Sequence, residues 1–165
     1  MIVITIIVSF VAGKIQKEIK QTKAHPSPGE EAYLNILRTA DVLSNEVAAV
    51  LKPAGLTLTQ YNVLRILRGA HPDWLTCSQI SERLISKDPD VTRLIDRLKS
   101  RDLISNQRHE TDRRVVTVRI TEKGLRILKD LDEPILNLHR RQLGRIAADD
   151  LQRLIALLEL VRDTG

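Results

Sequence analysis

The run RHETDRR at residues 108–114 places five formal charges in seven positions, so it cannot be core. It lies between LISNQ (103–107) and VVTVRI (115–120), two segments with strand character. In the second, Val116, Val118 and Ile120 alternate with Val115, Thr117 and Arg119, the period of two that marks a strand with one buried face. The pair predicts a hairpin with a charged tip. What such a tip does depends on what precedes it.

Upstream the pattern is helical. From Glu30 to Lys52, the residues Leu37, Ala40, Val47 and Leu51 form one stripe, and Pro53 and Gly55 end the helix. TLTQ then carries a capping box, with Thr57 as N-cap and Gln60 three residues on; GAHPD (69–73) stops the helix it opens. TCSQ (76–79) repeats the device with Thr76 and Gln79, and predicts a short helix to about Ile85 with Ile80 and Leu84 buried. SKDPD (86–90) makes a tight turn. Asp88 suits the N-cap and Pro89 the first helical position, where its missing N–H costs nothing. The helix that follows runs to about Arg101. Val91, Leu94, Ile95 and Leu98 form its core stripe, Pro89, Arg93 and Asp96 lie opposite, and Arg97 stands at the edge.

After the hairpin, Thr121 caps a helix that bends or breaks near Pro134, and a last helix covers about 149–162. In that last helix Leu151, Leu154, Ile155, Leu157, Leu158, Leu160 and Val161 surround most of the circumference. A helix apolar all round is buried on more than one side, and a chain of 165 residues has little core left for it, which predicts a symmetric homodimer. Aromatics make up only 2% of the chain, so the core rests on Leu, Ile and Val.

At the start, IVITIIVSFVAG (2–13) is almost unbroken apolar sequence. It is shorter than the ~20 residues a helix needs to span a bilayer. It also has neither a preceding basic residue nor an A-x-A site, so it does not read as a signal peptide. Packing on the domain or a partner, extra residues upstream of the functional start, and an interfacial membrane anchor are the readings it leaves. Residues 21–29, QTKAHPSPG, read as a linker. A single cysteine excludes an intramolecular disulfide and fits a cytoplasmic protein.

Two short helices joined by a tight turn and followed by a hairpin form a winged helix-turn-helix pattern. The fold class expected is mainly α with a small β-hairpin wing, a winged helix-turn-helix lobe plus a helical dimerisation region. In such a lobe the second helix enters the major groove of double-stranded DNA. Pro89, Asp90, Arg93 and Arg97 face outward there, and Arg is the commonest reader of guanine O6 and N7. The charged tip then has a role: Arg113 and Arg114 reach the minor groove or clasp phosphate, while Asp112 orients Arg114. The net charge of +5 suits a polyanion partner. No H-E-x-x-H, G-x-G-x-x-G, P-loop or G-x-S-x-G motif occurs, so the chain does not read as an enzyme, and no cofactor is implied. His71 and Cys77 share a loop region, but one pair is not a metal site. Cys77 reads as an inert, partly buried thiol.

The segments TLTQYNVLRIL (57–67), TCSQISERL (76–84), DVTRLIDRLKSRDLI (90–104), TDRRVVTVRITEKG (111–124) and AADDLQRLIALLE (147–159) resemble the MarR family of bacterial transcription regulators over roughly residues 31–163. The combination T-R-L-x-D-R-L, D-x-R in the wing and T-E-K-G carries the resemblance. It implies a dimer whose helical dimerisation region is built from both chain ends, here 30–56 and 125–163, around a DNA-binding lobe at 57–124, with 1–29 an apolar segment and linker. It implies a pseudo-palindromic operator and a repressor usually released by a small, often phenolic or lipophilic ligand. Asp112 and Arg114 match the family's wing pair, and Arg93, Asp96 and Arg97 match its recognition-helix motif. The candidate DNA contacts are thus Ser78, Gln79, Asp88, Pro89, Asp90, Thr92, Arg93, Arg97, Asp112, Arg113 and Arg114. Tyr33, Leu37 and Tyr61 are the candidate effector-lining residues. Asp102 stands where the family usually has Gly, and Ala147 where Ser or Thr often caps the last helix. The alternative from another class is a winged-helix protein-interaction module, membrane-associated through residues 2–12.

Overall fold

The computed structural model describes residues 14–23, 25–86, 90–108 and 116–163. The chain divides into two compact units within one helix, Met1–Ser44 and Asn45–Gly165. The apolar run at 2–12, and with it the membrane reading, lies outside the described residues. Among those described, no helix is long and apolar enough to cross a membrane.

In the first unit, helix α1 (Lys14–Glu18) buries Ile15. It is tied to the long helix α2 (Pro28–Leu51) by the Arg38–Glu18 ion pair at 3.6 Å. Tyr33, Ile36, Leu37 and Val42 of α2 are exposed.

In the second unit, α2 ends in a short 3-10 turn, Lys52–Ala54, closed by Gly55 at φ 64°. A left-handed residue at that position is where glycine carries no Cβ penalty. Helix α3 (Leu58–Ala70) and helix α4 (Cys77–Arg83) each start with the predicted capping box: Thr57 with Gln60, and Thr76 with Gln79. Helix α5 (Val91–Lys99) buries Val91, Leu94, Ile95 and Leu98. Here the cap differs from the expectation. Asp90 is the N-cap, its side chain accepting from Arg93 N–H, so the helix begins after Asp90 and not at Pro89. Asp88 and Pro89 lie outside the described residues.

Among the described residues the sheet has three strands, not two. Strand β1 (Leu75–Thr76) pairs antiparallel with β3 (Val116–Ile120), which pairs with β2 (Ile104–Arg108), giving the order β1-β3-β2. Val118 and Ile120 are buried as expected, but Thr117 is buried too. It lies opposite Thr76 of β1 and its hydroxyl bonds to Gln107 O.

Helix α6 (Glu122–Leu143) is capped by Thr121 and runs as one helix through Pro134, so of the expected bend or break the break does not occur. A proline costs a helix one N–H donor; the burial of Leu128, Leu131, Ile135 and Leu138 on either side holds the segment helical. Helix α7 (Ala148–Arg162) has no side-chain cap at Ala147 and buries none of its residues. The core joins Leu51 and Leu56, Val63, Leu64 and Leu67 of α3, Ile80, Leu98, Leu103, Val118 and Leu128 into one cluster.

Candidate nucleic-acid interface

The core stripe of α5 fixes which face looks outward. With Val91, Leu94, Ile95 and Leu98 packed inside, Thr92, Arg93, Asp96 and Arg97 are left exposed. Arg93 presents its side chain 74% exposed. It is also oriented. Asp90 accepts the Arg93 backbone N–H at 3.0 Å through Oδ1, and its Oδ2 stands 3.5 Å from Arg93 Nε. Asp90 therefore does two jobs, capping the helix and steadying the base of the guanidinium. An Asp three residues before an Arg at a helix start is a readable signal for this pairing, though the sequence reading assigned the cap to Asp88.

The first helix of the pair, α4, supplies less than its exposure suggests. Gln79 is exposed, but its Oε1 accepts Thr76 N–H at 2.9 Å to complete the capping box. The exposed Ser78 donates its hydroxyl to Glu82 Oε1 at 3.1 Å. Cys77, half-buried at the start of α4, has its thiol held above the ordinary range, first by burial and then by the nearby Asp96 carboxylate. Only the thiolate is a good nucleophile, so the upward shift lowers the reactive fraction of this thiol.

The wing strands pair from Ile104↔Ile120 out to Arg108↔Val116. The predicted tip residues Asp112, Arg113 and Arg114 lie outside the described residues. At the base of the wing, Arg119 stacks over the Trp74 ring at 4.7 Å. Neither residue was singled out from the sequence, because Trp74 precedes the two-residue strand β1, which carries no pattern of its own. A recess of about 330 Å³ between α5 and the wing is lined by Lys99, Asn106, Gln107 and Val116.

The three candidate effector-lining residues are placed differently. Tyr33 and Leu37 are exposed on α2, whereas Tyr61 is buried in the core of the second unit with Arg65 over its ring at 5.8 Å. A separate, mostly apolar groove of about 550 Å³ is lined by Val50, Pro53, Ala54, Ile127, Asp130, Leu131 and Pro134. Among the described residues, no group of three or more His, Cys, Asp or Glu could hold a metal ion.

Residues 47–131 match the family model described as transcriptional regulator SarA/Rot. Among solved structures, the chain is 45% identical to a MarR transcription factor from Planctomyces limnophilus, with a TM-score of 0.65, over 82% of this chain and 98% of the other. A MarR family transcriptional regulator from Streptomyces coelicolor, solved in complex with DNA, shares the fold at a TM-score of 0.72 and 16% identity, over 80% of this chain and 87% of the other. Bordetella bronchiseptica BpsR, whose DNA binding is regulated by 6-hydroxynicotinic acid, shares it at 0.73 and 19%, over 87% and 99%. The helix-turn-helix with its flanking wing, the matching family model and the 45% identity together show that the chain belongs to the MarR family of winged-helix transcription regulators.

Proposed function

We propose that the protein acts as a homodimeric, sequence-specific DNA-binding repressor that a small-molecule effector releases from its operator. The observation that carries the DNA reading is α5: a nine-residue helix with four buried apolar residues that leaves Thr92, Arg93 and Arg97 outward beside a hairpin wing. Arg93 and Arg97 read base edges in the major groove, with Asp90 steadying the first. Ser78, Gln79 and Thr92 add backbone or base contacts, and Asp88, Pro89, Asp112, Arg113 and Arg114, outside the described residues, are proposed as further DNA contacts from the sequence alone. The Streptomyces relative, solved in complex with DNA, supports DNA binding as such.

The dimer reading is supported by α7, where Leu157, Leu160 and Val161 are each at least 60% exposed. Residues 30–56 and 125–163 form the dimerisation region in this proposal, and 57–124 the DNA-binding lobe. A dimer then reads a pseudo-palindrome with half-sites about one helical turn, ~34 Å, apart. The effector reading is supported by regulation of the Bordetella relative by 6-hydroxynicotinic acid and by the 550 Å³ groove at the end of α2. Tyr33, Leu37 and Tyr61 do not line this groove and are kept only as candidates implied by the family resemblance. A regulator of this kind works in the cytoplasm, where its operator is.

A mobility-shift titration with the DNA flanking the protein's own gene tests the proposal. One retarded species that survives excess unrelated duplex is the result expected. Retardation abolished equally by any duplex would contradict sequence-specific reading.

A further inference from the structure

Two helix ends meet at Arg101. After α2, Leu56 N–H bonds to Leu51 O at 3.3 Å and Gly55 N–H to Lys52 O at 2.9 Å, with Gly55 left-handed. After α5 the same closure recurs: Leu103 N–H bonds to Leu98 O at 3.1 Å and Asp102 N–H to Lys99 O at 2.9 Å, with Asp102 left-handed. Such closures leave carbonyls at the helix end with partial negative charge. Arg101 bridges the two ends. Its Nη1 donates to Gly55 O at 2.6 Å and its Nη2 to Ala54 O at 2.8 Å. Arg101 is in turn fixed from α6, because its own carbonyl accepts from Lys123 Nζ at 2.8 Å and the next carbonyl, of Asp102, accepts from Thr121 Oγ1 at 2.7 Å.

We propose that Arg101 is a positioning residue for DNA reading: its forked link to Ala54 and Gly55 sets the angle at which α5 presents Arg93 and Arg97 to the groove. The inference rests on the proposed role of α5. A planar guanidinium with two donors aimed at two carbonyls resists rotation as a single ammonium contact does not. Helix α5 is only nine residues long, and its start is held by the Asp90 cap. The Arg101 fork supplies the second anchor, so the helix is held at both ends. Both guanidinium ends are committed to backbone carbonyls of the same unit, which separates Arg101 from a phosphate contact.

The parent, Arg101→Ala and Arg101→Lys are titrated against a duplex that the parent selects from a random pool, over a series of salt concentrations, with thermal unfolding followed in parallel. Arg101→Ala, folded at the assay temperature, is expected to bind roughly tenfold more weakly, the scale of losing a charge-assisted link, with the salt dependence unchanged. Arg101→Lys keeps the cation without the fork and falls between. Parent-like affinity in the folded variants would reduce Arg101 to a stability contact and overturn the proposal. A salt slope lower by about one would make it a phosphate contact and also overturn it. If Arg101→Ala does not fold, Arg101→Lys decides alone: weaker binding at the parent's slope upholds the proposal, and parent-like affinity overturns it. A parent that selects no duplex would instead overturn the reading of α5 itself.

Discussion

Asp102 holds a left-handed backbone at φ 58°, a conformation that asparagine and aspartate tolerate and glycine adopts freely. Its side chain is 87% exposed and 4.0 Å from Lys123, so little is lost by removing it. Asp102→Gly is therefore expected to stabilise the protein by about 0.5–1 kcal/mol, seen as a higher denaturation midpoint; an unchanged or lower midpoint would contradict the strain argument. Gly124 shows the opposite constraint. A Cβ there would overlap the backbone carbonyl oxygen of Leu103 and the Ile120 side chain. Gly124→Ala should cost about 1–3 kcal/mol by overpacking, measured by urea unfolding. The sequence marked both positions, Asp102 as a departure from Gly and Gly124 within T-E-K-G. The reason for Gly124 was not legible, because the carbonyl that excludes a side chain comes from a distant part of the chain.

Helix starts were the most readable elements, since a capping box is complete within four residues and needs no tertiary partner. Thr76 and Gln79 show both of its bonds, at 2.9 and 3.1 Å. Thr76→Ala should destabilise the second unit by about 1 kcal/mol by denaturant titration, and a neutral result would show that α4 is held by packing alone. The start of α5 was misplaced because two local rules competed. Asp88 before Pro89 satisfies the N-cap and first-position preferences, yet the Asp90 carboxylate is the one that meets an orphan N–H, that of Arg93. Strand β1 was invisible for another reason. Two residues carry no periodicity, and Leu75 and Thr76 are strand only through pairing with Val118 and Thr117. That same pairing places Thr117 opposite Thr76, which alternation had put on the solvent face. At Pro134 the helix does not break: one lost helical bond is a local cost, set against the buried residues around it in α6.

For the whole molecule, the apolar α7 was legible as an anomaly, because Leu and Ile all round a terminal helix have no internal place to go. Exposure of Leu154, Ile155, Leu157, Leu160 and Val161 agrees with that reading of the helix. Light scattering at micromolar concentration should give the mass of two chains, each 18.7 kDa. A mass of one chain would remove the proposed dimer and the palindromic operator with it. The proposed DNA-reading face, by contrast, rests on the α5 core stripe, which leaves Arg93 and Arg97 outward. Its direct test is titration of the parent and Arg93→Ala against a selected operator and a scrambled duplex of the same composition at several salt concentrations. The parent should prefer the operator, and Arg93→Ala should lose about 1–3 kcal/mol on it and much less on the scrambled duplex. A parent that binds both duplexes equally, or an Arg93→Ala loss that is the same on both, would contradict base reading by α5.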